Sequence, residues 1–366
     1  MLRVCHIISG DLWAGAEAMV YQLLKKLKTY SDIYLNVIVL NDGRLADKIS
    51  ECGIKVNIVD ENKRSFGRLF FDIKNILKEQ PPTIVHSHRY KENIVAYLMS
   101  KYFKGVKLIV TQHGMPENYS NKINFIKHLK IQLNFWMVNK KFNRTVAVSN
   151  DLKNNMVDHY GFKENNIDVI HNGIELPEKP LSGHKRKKFI IGSAGRLCTV
   201  KDFPLMIKIA KSVCGRTDKI FFRLAGDGPE REELQKLVCH YDIEEFFEFC
   251  GQVADISEFY RGLDIFINTS VHEGIPMSIL EALAHGLPVI VPMVGGFCEI
   301  VENGKNGFII ENRMPDAFAE KCVLLYNNSS MYADMKQAAI TIVNQKFSVN
   351  HMASQYYKLY CQEVPE

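Results

Sequence analysis

Short apolar runs rich in Val, Ile and Thr recur along this chain with helical patterns between them, and that alternation constrains the fold more than any single residue. Residues 3–9, 35–40, 55–59, 83–86, 107–111, 144–148 and 166–170 read as strands, and 16–28, 68–78 and 93–103 read as helices between them. Strands and helices in alternation make a parallel sheet wrapped by helices, so residues 1–178 are expected to form a doubly wound α/β domain. The Pro-, Gly- and Lys-rich stretch at 176–188 breaks the pattern, and 179–188 is taken as a linker. Beyond it, 189–193, 221–225, 246–250, 265–269, 288–292 and 307–310 alternate with helices again, predicting a second doubly wound domain over 189–348. Residues 349–366 hold a further helix, expected to cross back and complete the first domain. A length of 366 residues suits two hydrophobic cores better than one.

The net charge is +5, yet it is uneven: 26 Lys and Arg stand against 18 Asp and Glu up to residue 180, leaving 20 against 23 beyond. Much of the basic excess lies in 121–144, where Lys122, Lys127, Lys130, Lys140, Lys141 and Arg144 interleave with Phe125, Leu129, Leu133, Phe135 and Trp136. Such a helix can lie on an anionic membrane surface, or pack an apolar face on the sheet with its lysines in solvent. No apolar run is long enough to span a bilayer and no signal peptide is evident, so a cytoplasmic protein is expected, with peripheral contact to the inner membrane face an option. The nine cysteines show no metal-ligand spacing and read as reduced core residues. Nucleic acid is disfavoured as a partner, because the positive charge is modest and no nucleic-acid module is recognisable.

Ligands of open parallel sheets bind beyond the carboxyl ends of the strands, so two such domains facing one another would form a cleft lined by strand-to-helix loops. One loop carries Glu273-Gly274-Ile275-Pro276-Met277 and leads into a helix containing Glu281. With Pro276 at the first helical position, the amides of Gly274 to Met277 and the helix dipole suit a phosphate. Glu273 and Glu281 can accept hydrogen bonds from hydroxyls on either side. A glycosidase pair is excluded, because eight helical residues at roughly 1.5 Å each span about 12 Å, beyond the reach of two acids across one bond. Arg196 and Lys201 place two cations in the loop after the strand at 189–193, enough to outweigh repulsion between a phosphate and Glu273. Only Gly10 and Gly15 punctuate the first loop, so the three-glycine dinucleotide fingerprint fails and hydride transfer is disfavoured.

His86, His88 and His113 cluster near strand ends and invite a metal. No metal is expected, since no Asp-x-Asp or His-Glu-x-x-His occurs and no third ligand lies close in sequence. His113 is better read as a neutral donor or acceptor.

Taken together these motifs resemble the retaining glycosyltransferases of family 4, with the two-Rossmann GT-B architecture. The likeness rests on Glu273 to Glu281, Gly195-Arg196-Leu197 with Lys201, Gly226-Asp227-Gly228-Pro229, His171-Asn172-Gly173-Ile174 and Ala147-Val148-Ser149. It implies a nucleotide-sugar donor, a UDP-sugar foremost, and transfer of a hexose or N-acetylhexosamine to a glycan or lipid-linked acceptor in surface polysaccharide synthesis. It also implies roles: Arg196 and Lys201 on the diphosphate, Glu281 on the ribose, Glu273 on the transferred sugar, and His113 beside the anomeric centre. Gln252 and Val253 resemble the base-binding edge. Gly15 matches the second glycine of the family's first loop, while Ala14 replaces the first. A nucleotide-sugar 2-epimerase of the same architecture and a non-catalytic nucleotide-sugar binder are the alternatives.

Overall fold

The computed structural model describes residues 1–11, 13–115, 125–177 and 188–364. Two compact units divide the chain, Met1–Gly173 with Val349–Glu366 and Ile174–Ser348.

The first unit holds one parallel sheet of β1 (Leu2–Ile8), β2 (Ile33–Val39), β3 (Lys55–Ile58), β4 (Ile84–Ser87), β5 (Lys107–Gln112), β6 (Arg144–Ala147) and β7 (Ile167–Val169), in the order β3-β2-β1-β4-β5-β6-β7. Its helices are α1 (Gly15–Leu27), α2 (Arg44–Glu51), α3 (Phe66–Glu79), α4 (Tyr90–Tyr102), α5 (Phe125–Lys141) and α6 (Asn150–Tyr160). The ends of α6 show how sequence sets an element. Ser149 caps its start by accepting the Leu152 N–H at 3.1 Å, and Gly161 stops it in the left-handed region at φ 66°.

The second unit repeats the plan with β8 (Phe189–Ala194), β9 (Ile220–Ala225), β10 (Phe247–Gly251), β11 (Ile265–Ile267), β12 (Val289–Pro292) and β13 (Gly307–Ile310), ordered β10-β9-β8-β11-β12-β13. Its helices are α7 (Phe203–Cys214), α8 (Arg231–His240), α9 (Ile256–Arg261), α10 (Met277–Ala284), α11 (Phe297–Ile300), α12 (Pro315–Asn327) and α13 (Ser329–Lys346). A last helix, α14 (Val349–Glu363), belongs to the first unit and packs on α1.

Strands covered on both faces must be apolar throughout, and Ile265, Phe266 and Ile267 of β11 are each fully buried. Helix residues Phe203, Met206 and Ile207 join Phe222 and Leu224 in the second unit's core. Each such side chain contributes about 1.5–3 kcal/mol on burial.

Two expectations change, and a third falls largely outside the described residues. The division falls at Gly173, ahead of residue 178, because Ile174 bridges to Ser348 and donates its N–H to the Phe347 carbonyl at 2.9 Å. Residues 179–187 of the expected linker at 179–188, and 121–124 of the basic segment, lie outside the described residues. Of the nine cysteines, Cys5, Cys198 and Cys322 are buried, whereas Cys239 and Cys298 are exposed surface thiols.

Candidate functional site

Strand order decides which loops meet. In the second sheet the winding reverses between β8 and β11, and a ligand crevice lies outside the carboxyl ends at such a switch point. The flanking loops, 195–202 and 268–276, are stitched together: the Val271 N–H donates to the Val200 carbonyl at 2.9 Å, and Thr269 Oγ1 to that of Lys201 at 2.8 Å. Arg313 buttresses both, giving hydrogen bonds to Asp202 Oδ2 at 2.6 Å and to the carbonyls of Thr269 and Ser270 at 2.9 and 2.7 Å.

At this seam Lys201 Nζ and Glu273 Oε1 form an ion pair, and Ser270 Oγ donates to the same carboxylate oxygen at 2.9 Å. Lys201 is therefore not a free cation beside a repelling Glu273; each holds the other. Arg196 is exposed and forms no ion pair among the described residues, so it is the cation open to an incoming anion.

Glycine makes the close packing possible. Gly226 (φ +132°) is so placed that a Cβ would lie 1.8 Å from the Gly195 carbonyl oxygen, and at Gly295 (φ +53°) one would lie 2.0 Å from that of Glu273. Any side chain at either point would push the Arg196 or Glu273 loop out of place. Gln252 and Val253 follow β10, next to β9, where the Gly226 N–H donates to the Gly251 carbonyl at 2.7 Å; Gln252 is exposed and Val253 partly so.

Helix α10 begins one residue later than the first-turn reading of Pro276 required. Pro276 is its N-cap, extended at φ −72° and ψ 126°, and has no N–H to offer. Residues 274–277 are all buried, so what this helix start offers a ligand is backbone N–H groups, and Pro276 supplies none. Along the helix, Tyr260 of α9 donates to Glu281 Oε2 at 2.8 Å, the polar partner that an acid among apolar neighbours requires. Burial pushes the Glu281 carboxyl up to about 7. His272 presents a buried Nε2 without a partner among the described residues.

The first unit holds Gly15 and His113. Gly15 is exposed at the start of α1, beside buried Glu17, whose Oε2 accepts the Ala14 N–H at 3.1 Å and whose Oε1 pairs with Arg89. His113 follows β5 and is partly exposed, while its Nδ1 is buried and has no partner among the described residues. Its Nε2 lies 3.3 Å from His88 Nδ1, and His88 Nε2 lies 3.1 Å from His6 Nδ1. His6, on β1, is the third imidazole that spacing alone did not supply: ligand atoms of His6, His86 and His88 lie within 4.8 Å of one another. Burial drives His6 and His113 down to about 3, and lowers His86 and His88 as well, so all four are neutral at pH 7.

Sequence reasoning missed Tyr260, Arg313 and the seat at Gly295. Adjacent Gly295 and Gly296 after an apolar strand were a usable signal, as two glycines in a strand-to-helix loop mark close backbone approach. Tyr260 and Arg313 carried none.

Residues 13–178 match the model of Glycosyltransferase Family 4, and residues 177–341 that of Glycosyl transferases group 1. The chain is a family 4 glycosyltransferase.

An uncharacterized glycosyltransferase of Haemophilus influenzae is 31% identical over 176 residues, a match spanning about half of either chain (48% and 49%). The UDP-Gal:alpha-D-GlcNAc-diphosphoundecaprenol alpha-1,3-galactosyltransferase of Escherichia coli is 25% identical over 365 residues, 94% of this chain and 92% of that one. Among solved structures, Anabaena HepE in complex with UDP-glucose aligns over 99% of this glycosyltransferase and 100% of its own chain, at a TM-score of 0.85 and 19% identity. That likeness shows the fold: two parallel-sheet Rossmann-like units of GT-B type.

Proposed function

We propose that this glycosyltransferase moves a hexose or N-acetylhexosamine from a UDP-sugar to a hydroxyl of a lipid-linked glycan, with retention, in surface polysaccharide synthesis. The observation that carries the reading is the meeting of Lys201, Ser270 and Glu273 at the switch point of the second sheet, beside the start of α10, with exposed Arg196 on the same loop as Lys201. The name of the Escherichia coli relative and the UDP-glucose of the Anabaena structure support the donor and acceptor classes.

Departure of the nucleoside diphosphate is the step that needs help, because negative charge grows on its terminal phosphate. Arg196 meets that charge with a planar fork. Lys201 exchanges Glu273 for the phosphate, and the freed Glu273 carboxylate accepts from a hydroxyl of the sugar. Gly274 and Met277 add backbone N–H donors at the positive end of the α10 dipole. In this reading no metal takes part. Glu281 accepts from the ribose hydroxyls, Gln252 and Val253 border the base, Gly15 gives its loop room to approach the donor, and His113 meets the transferred sugar. The acceptor hydroxyl attacks from the face the diphosphate leaves and passes its proton to the departing phosphate oxygen as the anomeric C–O bond breaks, which retains the configuration.

The acceptor side has its own support. On α5, Ile126, Leu129, Leu133 and Trp136 are 66%, 47%, 55% and 58% exposed at helical spacing, while Phe135 and Val138 face inward. Lys130, Lys140 and Lys141 are exposed on the same helix. This suits an anionic lipid surface, although no helix among the described residues is long and apolar enough to cross a membrane. Flotation with anionic liposomes should retain the native protein and lose a Leu133→Glu/Trp136→Glu variant; equal flotation of the two argues for a soluble acceptor.

Thermal-shift titration with UDP-, GDP- and ADP-sugars tests the donor, since a ligand of the folded state alone raises its melting point. A rise with UDP-sugars is expected, and no rise with any of them contradicts the reading. Anomeric analysis of the product then separates transfer with retention from an epimerised nucleotide sugar or from binding without turnover.

A further inference from the structure

Outside the donor loops, the unusual feature is a continuous chain of hydrogen bonds through the first unit. From His113 Nε2 it passes to His88 Nδ1 (3.3 Å), from His88 Nε2 to His6 Nδ1 (3.1 Å), and from His6 Nε2 to the Tyr360 hydroxyl (3.3 Å). Tyr360 continues to His86 Nδ1 (2.7 Å), His86 Nε2 to Thr111 Oγ1 (2.8 Å), and Thr111 Oγ1 to the Tyr356 hydroxyl (2.9 Å). Tyr356 and Tyr360 lie one turn apart on α14, so the C-terminal helix supplies the far end.

The hydrogen count fixes the direction of this chain. Four neutral imidazoles, two phenols and one threonine carry seven hydrogens for the six contacts. Burial raises both tyrosines far above their usual range, so their hydroxyl hydrogens stay on. One hydrogen is left over. Both ring nitrogens of His6, His86 and His88 face partners, so it sits on His113, Tyr360, Thr111 or Tyr356. Tyr356, Tyr360 and Thr111 are fully buried with no hydrogen-bond partner outside the chain among the described residues, so a hydrogen stranded on any of them would be an unsatisfied buried donor in addition to an unsatisfied His113 Nδ1. Placed on His113 Nδ1, itself buried and without a partner among the described residues, the spare hydrogen leaves one orphaned group in place of two, so it belongs there.

We propose that Tyr356, Thr111, His86, Tyr360, His6 and His88 are positioning residues that lock His113 as its Nδ1–H tautomer, presenting a fixed hydrogen-bond donor to an oxygen of the bound sugar. Tyr356 donates to Thr111, Thr111 to His86 Nε2, and His86 Nδ1–H to Tyr360. Tyr360 donates to His6 Nε2, His6 Nδ1–H to His88 Nε2, and His88 Nδ1–H to His113 Nε2. Every buried hydrogen then has an acceptor except the one aimed at the ligand. A metal ion is the competing use of three close imidazoles, and the structure speaks against it: all six ring nitrogens of His6, His86 and His88 already have hydrogen-bond partners. The sugar as ligand rests on the proposed function; the direction of the chain does not.

Nitrogen-15 NMR of ring-labelled histidine reads the tautomers directly in the whole protein. All four histidines are expected as Nδ1–H, unchanged between pH 7 and pH 5. An Nε2–H form at any of them, a charged imidazolium in that range, or one equivalent of tightly held metal overturns the proposal. Kinetics add a second readout. Tyr356→Phe releases the constraint, so His113 should show both tautomers and kcat should fall about tenfold, the worth of one hydrogen bond, with the donor KM unchanged. His113→Asn offers an amide N–H near the Nδ1 position that owes nothing to the chain, so adding Tyr356→Phe to it should cost nothing further in kcat. Equal losses in both backgrounds overturn the proposal. Absence of transferase activity with intact Nδ1–H signals would instead remove the proposed function and leave the hydrogen-bond chain standing.

Discussion

The two units solve the same problem, holding polar groups ready at the ends of a parallel sheet, in opposite ways. In the second unit the groups are charged and loop-borne: Lys201 with Glu273, Arg313 with Asp202, and Arg196 unpaired among the described residues, seated by glycines that let backbones touch. In the first unit they are neutral and buried. His6, His86 and His88 are at most 2% exposed and are held by hydrogen bonds and stacked rings, with no ion pair among the described residues. The contrast follows from burial. Partly exposed charges can be paired loosely and exchanged for a ligand's charge, whereas groups sealed in a sheet's interior keep their hydrogens fixed and gain direction instead.

If charge is what matters in the second unit, its removal should have the largest effect. Lys201→Ala should lower kcat/KM about 10³-fold, the scale of losing a fixed donor to developing charge. A loss under tenfold in steady-state assays would mean the Lys201–Glu273 pair is only structural. His113→Ala should lower kcat about 10²-fold through the loss of a placed polar group, with little change in donor affinity. Equal losses in kcat and affinity would break the division between a unit that holds the donor and a group that directs its sugar. Arg196→Ala should weaken UDP-sugar binding about tenfold and flatten its salt dependence in titration calorimetry.

Acid should divide the two regions further. The buried histidines have folded values lowered from 6.5, so the unfolded chain takes up protons first. Their stabilisation is complete above pH 6.5 and is lost as pH falls towards 3, by about 1–2 kcal/mol per histidine between pH 7.5 and 5. Glu281 runs the other way. Its carboxyl is raised to about 7, so the neutral form is the stabilised one, and its contribution is lost as pH rises from 4.5 through 7. Glu281→Gln should therefore raise the melting temperature at pH 8 and leave it unchanged at pH 4. A uniform shift across pH would contradict the burial of its charge.

The strands were legible because parallel sheets demand unbroken apolar runs, and the runs at 144–148 and 307–310 lie on β6 and β13 with little change in bounds. The two loops that meet at the switch point of the second sheet were legible where polar residues are concentrated in one loop, as at Arg196 to Lys201 and Glu273 to Met277. What spacing could not show is whatever the sheet brings together across strands. His6 lies 82 residues from His88, and Tyr356 and Tyr360 sit at helical spacing that reads as ordinary core packing. The same limit hid the ion pair of Lys201 and Glu273, which sequence reading treated as separate groups each acting on the ligand. Pro276 was misplaced by one position because Pro is favoured at the first helical position, whereas here its extended backbone angles make it the cap.

A crystal structure with a bound UDP-sugar tests the central claim most directly. The diphosphate should lie within about 3 Å of Arg196, of Lys201 released from Glu273, and of the Gly274 and Met277 amides, with Glu281 on the ribose. A nucleotide seated elsewhere, with the Lys201–Glu273 pair undisturbed, would contradict it.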